Sequence, residues 1–339
     1  MSETQTGPAE QPRPGELHLL GGIDEAGLGP VLGPLVVAGM LLEGPAGTNP
    51  WEDLASCFCK KPTHRKDKRV RVDDSKRVKT GKQGPAQLER TALTFHYAKS
   101  GELPLTLGEF LRGGLGGLAG ELTRYPWYQD LDEVPLPRWN DRGSLELAAH
   151  LTLQEMEKAE VHCLAYEFHA VPVGRFNASI QRHDNKSLTL FESALPPLVS
   201  LVERGARRAT EQGRDHRLHV VLDRQGGRSR YRPLLAKAFP HTSIRSLREQ
   251  QGLSEYGLGE HTRLTFVEKG EDRSFPTAAA SCLAKYVREI CMEQINAWFR
   301  ALRPDLRPTA GYYTDGRRFL EDLGPLLGEQ PRALLIRNR

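Results

Sequence analysis

Two apolar runs joined by a glycine-rich turn constrain this chain more than any other feature. "LHLLGGID" (17 to 24) and "PLVVAGMLL" (34 to 42) read as strands, and the turn between them predicts a hairpin. Runs this apolar belong in the interior of a sheet. Yet the first ends in two adjacent acids, Asp24 and Glu25, followed by Gly27, Leu28 and Gly29. Carboxylates are costly in such a place unless something positive compensates them.

The same texture runs along the rest of the chain. Helical patterns fall at 85–100, 144–158, 185–209 (interrupted at Pro196 and Pro197) and 277–300, the last with an apolar stripe through 279, 282, 283, 286, 287, 290, 291 and 295. Strand patterns fall at 161–168, 218–223, 242–246 and 263–268. Strands and helices interleave throughout, which predicts an α/β fold. Residues 101–145 break the rhythm with Gly, Pro and aromatics and read as an insertion. Their "GGLGGLAG" lacks the spacing of a phosphate-binding turn. A Pro-rich polar stretch at 1–16 reads as a disordered leader, and 326–339 as a C-terminal tail of open role.

Composition narrows the function classes. A net charge of +4 permits a nucleic-acid partner without demanding one. No apolar run is long enough for a bilayer, so no membrane partner is expected. Five cysteines in no disulfide-like spacing fit a reducing cytoplasm. Cys57, Cys59 and His64 fall short of the two ligand pairs of a structural zinc site. A monomer is the default expectation.

Acidic residues recur where strands end: Asp24 and Glu25, then Asp223 in "HVVLDRQGG", then Glu268, Glu271 and Asp272 in "TFVEKGED". Solvated turns often carry acids, so one such site means little. Several converging on one sheet edge would repel each other unless cations intervened, and all-oxygen clusters suit Mg²⁺ or Mn²⁺. Two ions about 3.5–4 Å apart could clamp both the attacking and the leaving oxygen of a phosphodiester. Arg224, Arg228, Arg230 and Arg232 follow Asp223, as suits a polyanion or a merely solvated face.

The residues also carry a resemblance. "GIDEAGLGPVLGPLVVAG" (22 to 39), "DDSKRV" (73 to 78), "VVLDRQGG" (220 to 227), "KGEDRSFPTAAASCLAKYVRE" (269 to 289) and "AGYYTDG" (310 to 316) are similar, in order, to the signature segments of the type 2 ribonucleases H. The match spans most of the chain but not 43–72, 101–160 or the ends. It implies a ribonuclease H-like fold, a mixed sheet flanked by helices, over 17–325. It also implies hydrolysis of the RNA strand of RNA–DNA hybrids with two Mg²⁺ or Mn²⁺ ions, leaving 5′-phosphates and 3′-hydroxyls.

By that resemblance Asp24, Glu25, Asp223 and Glu271 are the catalytic, metal-holding carboxylates, with Asp272 the second choice for the fourth. A Glu at that position is similar to the type 3 branch. Gly27, Leu28, Gly29, Lys76, Ser281, Lys285 and Tyr312 match the substrate-binding positions, with Tyr313 adjacent to the last. Leu28 replaces the arginine of the family's Gly-Arg-Gly, so hybrids are the expected substrate and incision at a single embedded ribonucleotide is in doubt. Alternatives are a nuclease of the same fold acting on DNA or junctions, and a non-catalytic nucleic-acid-binding homologue.

Overall fold

The computed structural model describes residues 15–64, 67–115 and 119–338. The expected leader therefore lies outside the described residues except for Gly15 and Glu16, as does part of "GGLGGLAG". The strands are β1 (Leu17–Ala26), β2 (Leu35–Gly44), β3 (Phe58–Cys59), β4 (Val70–Arg71), β5 (His162–Val171), β6 (His216–Asp223), β7 (Ile244–Gln250), β8 (Leu253–Leu258) and β9 (Thr262–Val267). The helices up to β6 are α1 (Pro50–Asp53), α2 (Ser75–Val78), α3 (Gly84–Ser100), α4 (Leu107–Leu115), α5 (Ala119–Leu122), α6 (Arg142–Lys158), α7 (Val173–His183) and α8 (Lys186–Gln212). After it come α9 (Arg232–Ala238), α10 (Gly270–Arg273), α11 (Phe275–Leu302), α12 (Tyr313–Leu323) and α13 (Glu329–Leu335).

The expected α/β fold is present as a mixed sheet flanked by helices, in the order β5-β2-β1-β6-β9-β8-β7. β1 runs antiparallel to β2 and parallel to β6, and β6 runs parallel to β9. The remaining pairs are antiparallel. β3 and β4 form a separate small ribbon.

Alternation along β2 shows the two layers. Val36, Ala38, Met40 and Leu42 face a core built with α3 and α11, while Leu35, Val37 and Leu41 face one built with α8. Burial on both faces is why these strands read as unbroken apolar runs.

The adjacent glycines of β1 have a packing cause. A Cβ on Gly22 would lie 2.1 Å from the backbone nitrogen of Thr277, and one on Gly21 would lie 2.9 Å from Val220. The first turn of α11 thus rests on the β1 backbone, and its Thr277 hydroxyl donates to the Val221 carbonyl at 3.0 Å.

Two elements differ from expectation. α8 runs unbroken through Pro196 and Pro197, because Leu190, Phe191, Ala194, Pro197, Leu198 and Leu201 pack one continuous face onto the sheet and outweigh the lost backbone bonds. β8, "LSEYGL", carries no strand signature in the sequence because its Gly and Glu dilute the alternation that buries Tyr256 and Leu258. The described part of 101–145 packs against the rest of the fold. Phe110, Trp127 and Tyr128 join the α11 core. The fully buried Glu89 of α3 accepts the backbone N–H groups of Arg138, Trp139 and Asn140 at 2.6, 2.8 and 3.0 Å. The C-terminal segment also packs, with Leu335 and Arg337 buried. No described helix is long and apolar enough to cross a membrane.

Gly22→Ala should destabilise by about 3 kcal/mol or more, since the added carbon meets backbone rather than a yielding side chain. Gly29→Ala, whose Cβ would meet nothing within 4 Å, should stay within about 0.5 kcal/mol of wild type in urea unfolding.

Candidate active site

The parallel pairing of β1 and β6 assembles the acids. Ile23 pairs with Leu222, so Asp24 and Asp223 are the next residues of neighbouring strands, at one sheet edge. β9 ends beside them. Lys269 takes a left-handed φ of 56° and turns the chain into α10, which carries Glu271 and Asp272. The Gly270 N–H donates to Asp223 Oδ1 at 3.1 Å, tying that turn to β6.

The four expected carboxylates share one electrostatic environment. Asp24 is buried, and its carboxyl is held well above the usual range first by burial, then by the charges of Glu25 and Asp223. Its Oδ1 accepts the Glu25 N–H at 2.7 Å. Glu25, half-buried, is pushed up to about 7 by burial and then by Asp223, with Lys76 pulling the other way. Burial raises Asp223 and Glu271 as well, and Asp223 and Asp74 add repulsion at Glu271.

Asp272 behaves differently. Arg77 donates to its Oδ1 at 2.7 Å and holds its carboxyl low. Glu271, and not Asp272, therefore carries the repulsion that a cation would relieve.

The donor set suits a hard divalent ion: buried and half-buried oxygens, mutually repelling, with the exposed Lys76 as a nearby cation. The spacing is open, for among the described residues no three His, Cys, Asp or Glu side chains stand close enough to form a cage. The residues thus fit such ions in charge and chemistry.

The expected substrate residues fall into two groups. Gly27, Leu28 and Gly29 form the turn beyond β1, with Gly29 exposed and Leu28 packed partly onto the α8 core. Tyr312 is 48% exposed, enough to offer a ring face. Lys76 projects from α2, where Asp74 caps the helix by accepting its N–H at 2.9 Å.

Ser281 and Lys285 are interior instead. The Ser281 hydroxyl bonds Ser75 at 3.1 Å and supports the charged form of Asp24. Lys285 pairs with Glu289 at 2.8 Å and lies 5.8 Å from the Tyr312 ring centre. Arg224 staples its own loop through the Gly227 and Arg228 carbonyls.

Three residues near the site escaped the sequence reading. Asp74 stood within "DDSKRV" as half of an unremarked acidic pair. Arg288 lies on the helical face of Lys285, one turn on. Arg337 carried no signal.

A carboxyl whose folded-state value is raised favours the fold below its ordinary range and loses that contribution as pH rises through the raised value. In metal-free buffer the stability advantage of Glu25→Gln over wild type should therefore grow as pH climbs from 4.5 to about 7, read as the difference between their melting temperatures. Added Mg²⁺ should stabilise wild type and not Asp223→Asn.

No family model matches the chain, and no curated protein does. Solved structures align with it weakly. Ribonuclease HII of Archaeoglobus fulgidus, in a complex with PCNA, is 15% identical over 95% of this chain and 94% of that one, with a TM-score of 0.41. Ribonuclease H2 from Pyrococcus horikoshii OT3 is 14% identical over 94% and 92%, with a TM-score of 0.40. Bst-RNase HIII in complex with Mn²⁺ is 14% identical over 95% and 66%, also at 0.40. Likenesses at this level carry no weight for fold or chemistry, which rest on the sheet and the site themselves.

Proposed function

We propose that the protein is a metal-dependent endonuclease that hydrolyses the RNA strand of RNA–DNA hybrids. The observation that carries this reading is the delivery of Asp24, Glu25 and Asp223 by neighbouring parallel strands to one edge, where Glu271 joins their mutual repulsion. The ordered resemblance to the type 2 ribonucleases H supports it. Asp24, Asp223 and Glu271 would hold the ions, and Glu25 would help to orient them. Bound Mg²⁺ or Mn²⁺, as a pair, supplies the positive charge that makes water acidic enough to attack phosphorus and stabilises the leaving oxygen.

The chain's own residues do the rest. The open backbone at Gly29 admits a sugar to hydrogen-bonding distance, so a ribose 2′-hydroxyl can be distinguished from a deoxyribose. Lys76 meets a phosphate and Tyr312 stacks on a sugar or base. Ser281 and Lys285 act from behind, on Asp24 and on Tyr312. Leu28 offers no charge, which favours continuous hybrids over a single embedded ribonucleotide. The products are 5′-phosphates and 3′-hydroxyls, and we place the enzyme in the cytoplasm as a monomer.

Three matched duplexes test this in Mg²⁺ and in Mn²⁺: an RNA–DNA hybrid, DNA with one ribonucleotide, and DNA alone. The hybrid should be cut, the single-ribonucleotide duplex poorly and DNA not at all. Asp223→Asn and Glu271→Gln should lower kcat by about 100-fold or more, and Asp272→Asn by less than about threefold. Equal cutting of all-DNA would favour a DNA or junction nuclease. Binding without metal-dependent cutting would favour a non-catalytic homologue.

A further inference from the structure

The C-terminal segment reaches back to the glycine turn. Ile336 bridges Leu32, and the Arg337 N–H donates to the Val31 carbonyl at 2.9 Å. The Arg337 guanidinium then donates through Nε to the Gly33 carbonyl at 2.6 Å and through Nη1 to the Gly27 carbonyl. It lies 4.6 Å over the Phe176 ring. Asn177 holds this strap from outside, donating to the Ile336 carbonyl at 2.9 Å and accepting the Asn338 N–H at 2.7 Å.

Arg288 of α11 supports the same turn. It donates to the carbonyls of Pro34 and Leu32 at 3.4 Å each and of Ala310 at 3.0 Å, so one guanidinium spans the turn and the loop that carries Tyr312. Gly27 and Gly311, at φ 93° and 80°, wrap closely around it: a Cβ on Gly27 would lie 2.5 Å from Arg288 Cδ.

Both arginines are almost wholly buried, at 1% and 4% exposure, and among the described residues neither has an ion pair. Arg337 Nη2 has no hydrogen-bond partner. Apolar side chains could fill such places at lower cost. The carbonyl bonds account for holding the turn, and what they leave over is charge without a paired acid and one unpartnered donor, Arg337 Nη2, beside that turn.

The geometry points to Arg337 as a positioning residue that holds the Gly27–Gly29 turn in its substrate-receiving shape and, with Arg288, supplies from beneath the positive charge that Leu28 lacks. The ligand is a phosphate of the duplex backbone. This rests on the nuclease reading above, but it concerns binding and can fail alone.

The test compares wild type, Arg337→Met, Arg337→Lys and Asn177→Ala. Each is measured for hybrid cleavage in Mg²⁺, for binding of a labelled hybrid in EDTA across a salt series, and for thermal melting. Arg337→Met should raise KM and Kd about tenfold with kcat within about threefold, and make the log Kd against log salt slope shallower by about one. Arg337→Lys should keep the slope and recover part of the KM. Asn177→Ala, outside the core, should raise KM by roughly threefold.

A fall in kcat at unchanged KM would reduce Arg337 to a structural role and overturn the inference. So would wild-type KM and Kd in Asn177→Ala and in every Arg337 variant that folds. Wild type that neither binds nor cuts the hybrid would overturn the nuclease reading itself, and this inference with it.

Discussion

The contact between the first turn of α11 and the backbone of β1 at Gly22 sets the geometry of everything near the site. With no side chain between them, helix and strand approach as closely as backbone atoms allow, and Thr277 bonds across to the carbonyl of Val221 in β6. That seating brings Ser281 to Asp24 and, farther along the same helix, Lys285 to Tyr312 and Arg288 to the turn beyond β1. A larger residue at position 22 would lift the helix and loosen all three relations together.

Charge is distributed unevenly around this frame. Acids collect at the strand ends and raise one another's affinity for protons, which is unfavourable for the isolated fold and favourable for binding cations. Nearby basic residues are mostly committed elsewhere: Arg77 to Asp73 and Asp272, Lys79 and Lys285 to Glu289, Arg224 to its own loop. The carboxylate cluster is thus left under-compensated by the protein itself. Stability is commonly given up in this way where a site must receive something from outside.

The turn after β1 shows the complementary arrangement. Two guanidiniums hold it by bonding carbonyl oxygens, while Gly29 is exposed. A planar fork can satisfy several carbonyls at once, as a lysine cannot, which explains the residue type. The segment at 101–145 and the C-terminal strap serve the same frame from a distance. One packs against α11 through Trp127 and Tyr128, and the other pairs with the turn through Ile336 and Leu32.

Local patterns carried much of this in the sequence. The interleaved periodicities fixed the fold class, and apolar runs ending in Asp24 and Asp223 marked strand ends, because burial on both faces forces such runs whatever the surroundings. What the patterns could not carry depends on partners far away in the chain. Pro196 and Pro197 do not break α8, Ser281 and Lys285 lie inside rather than at the surface, and Arg77 takes Asp272 while Glu271 is left under the repulsion of Asp223. Arg337 had no local signature at all, since its role is defined by carbonyls some 310 positions earlier. Sequence alone determined which residues could form strands, helices and acidic ends. Only the tertiary structure decided which of those acids share one electrostatic environment and which side chains hold the turn, because burial and charge act through space rather than along the chain.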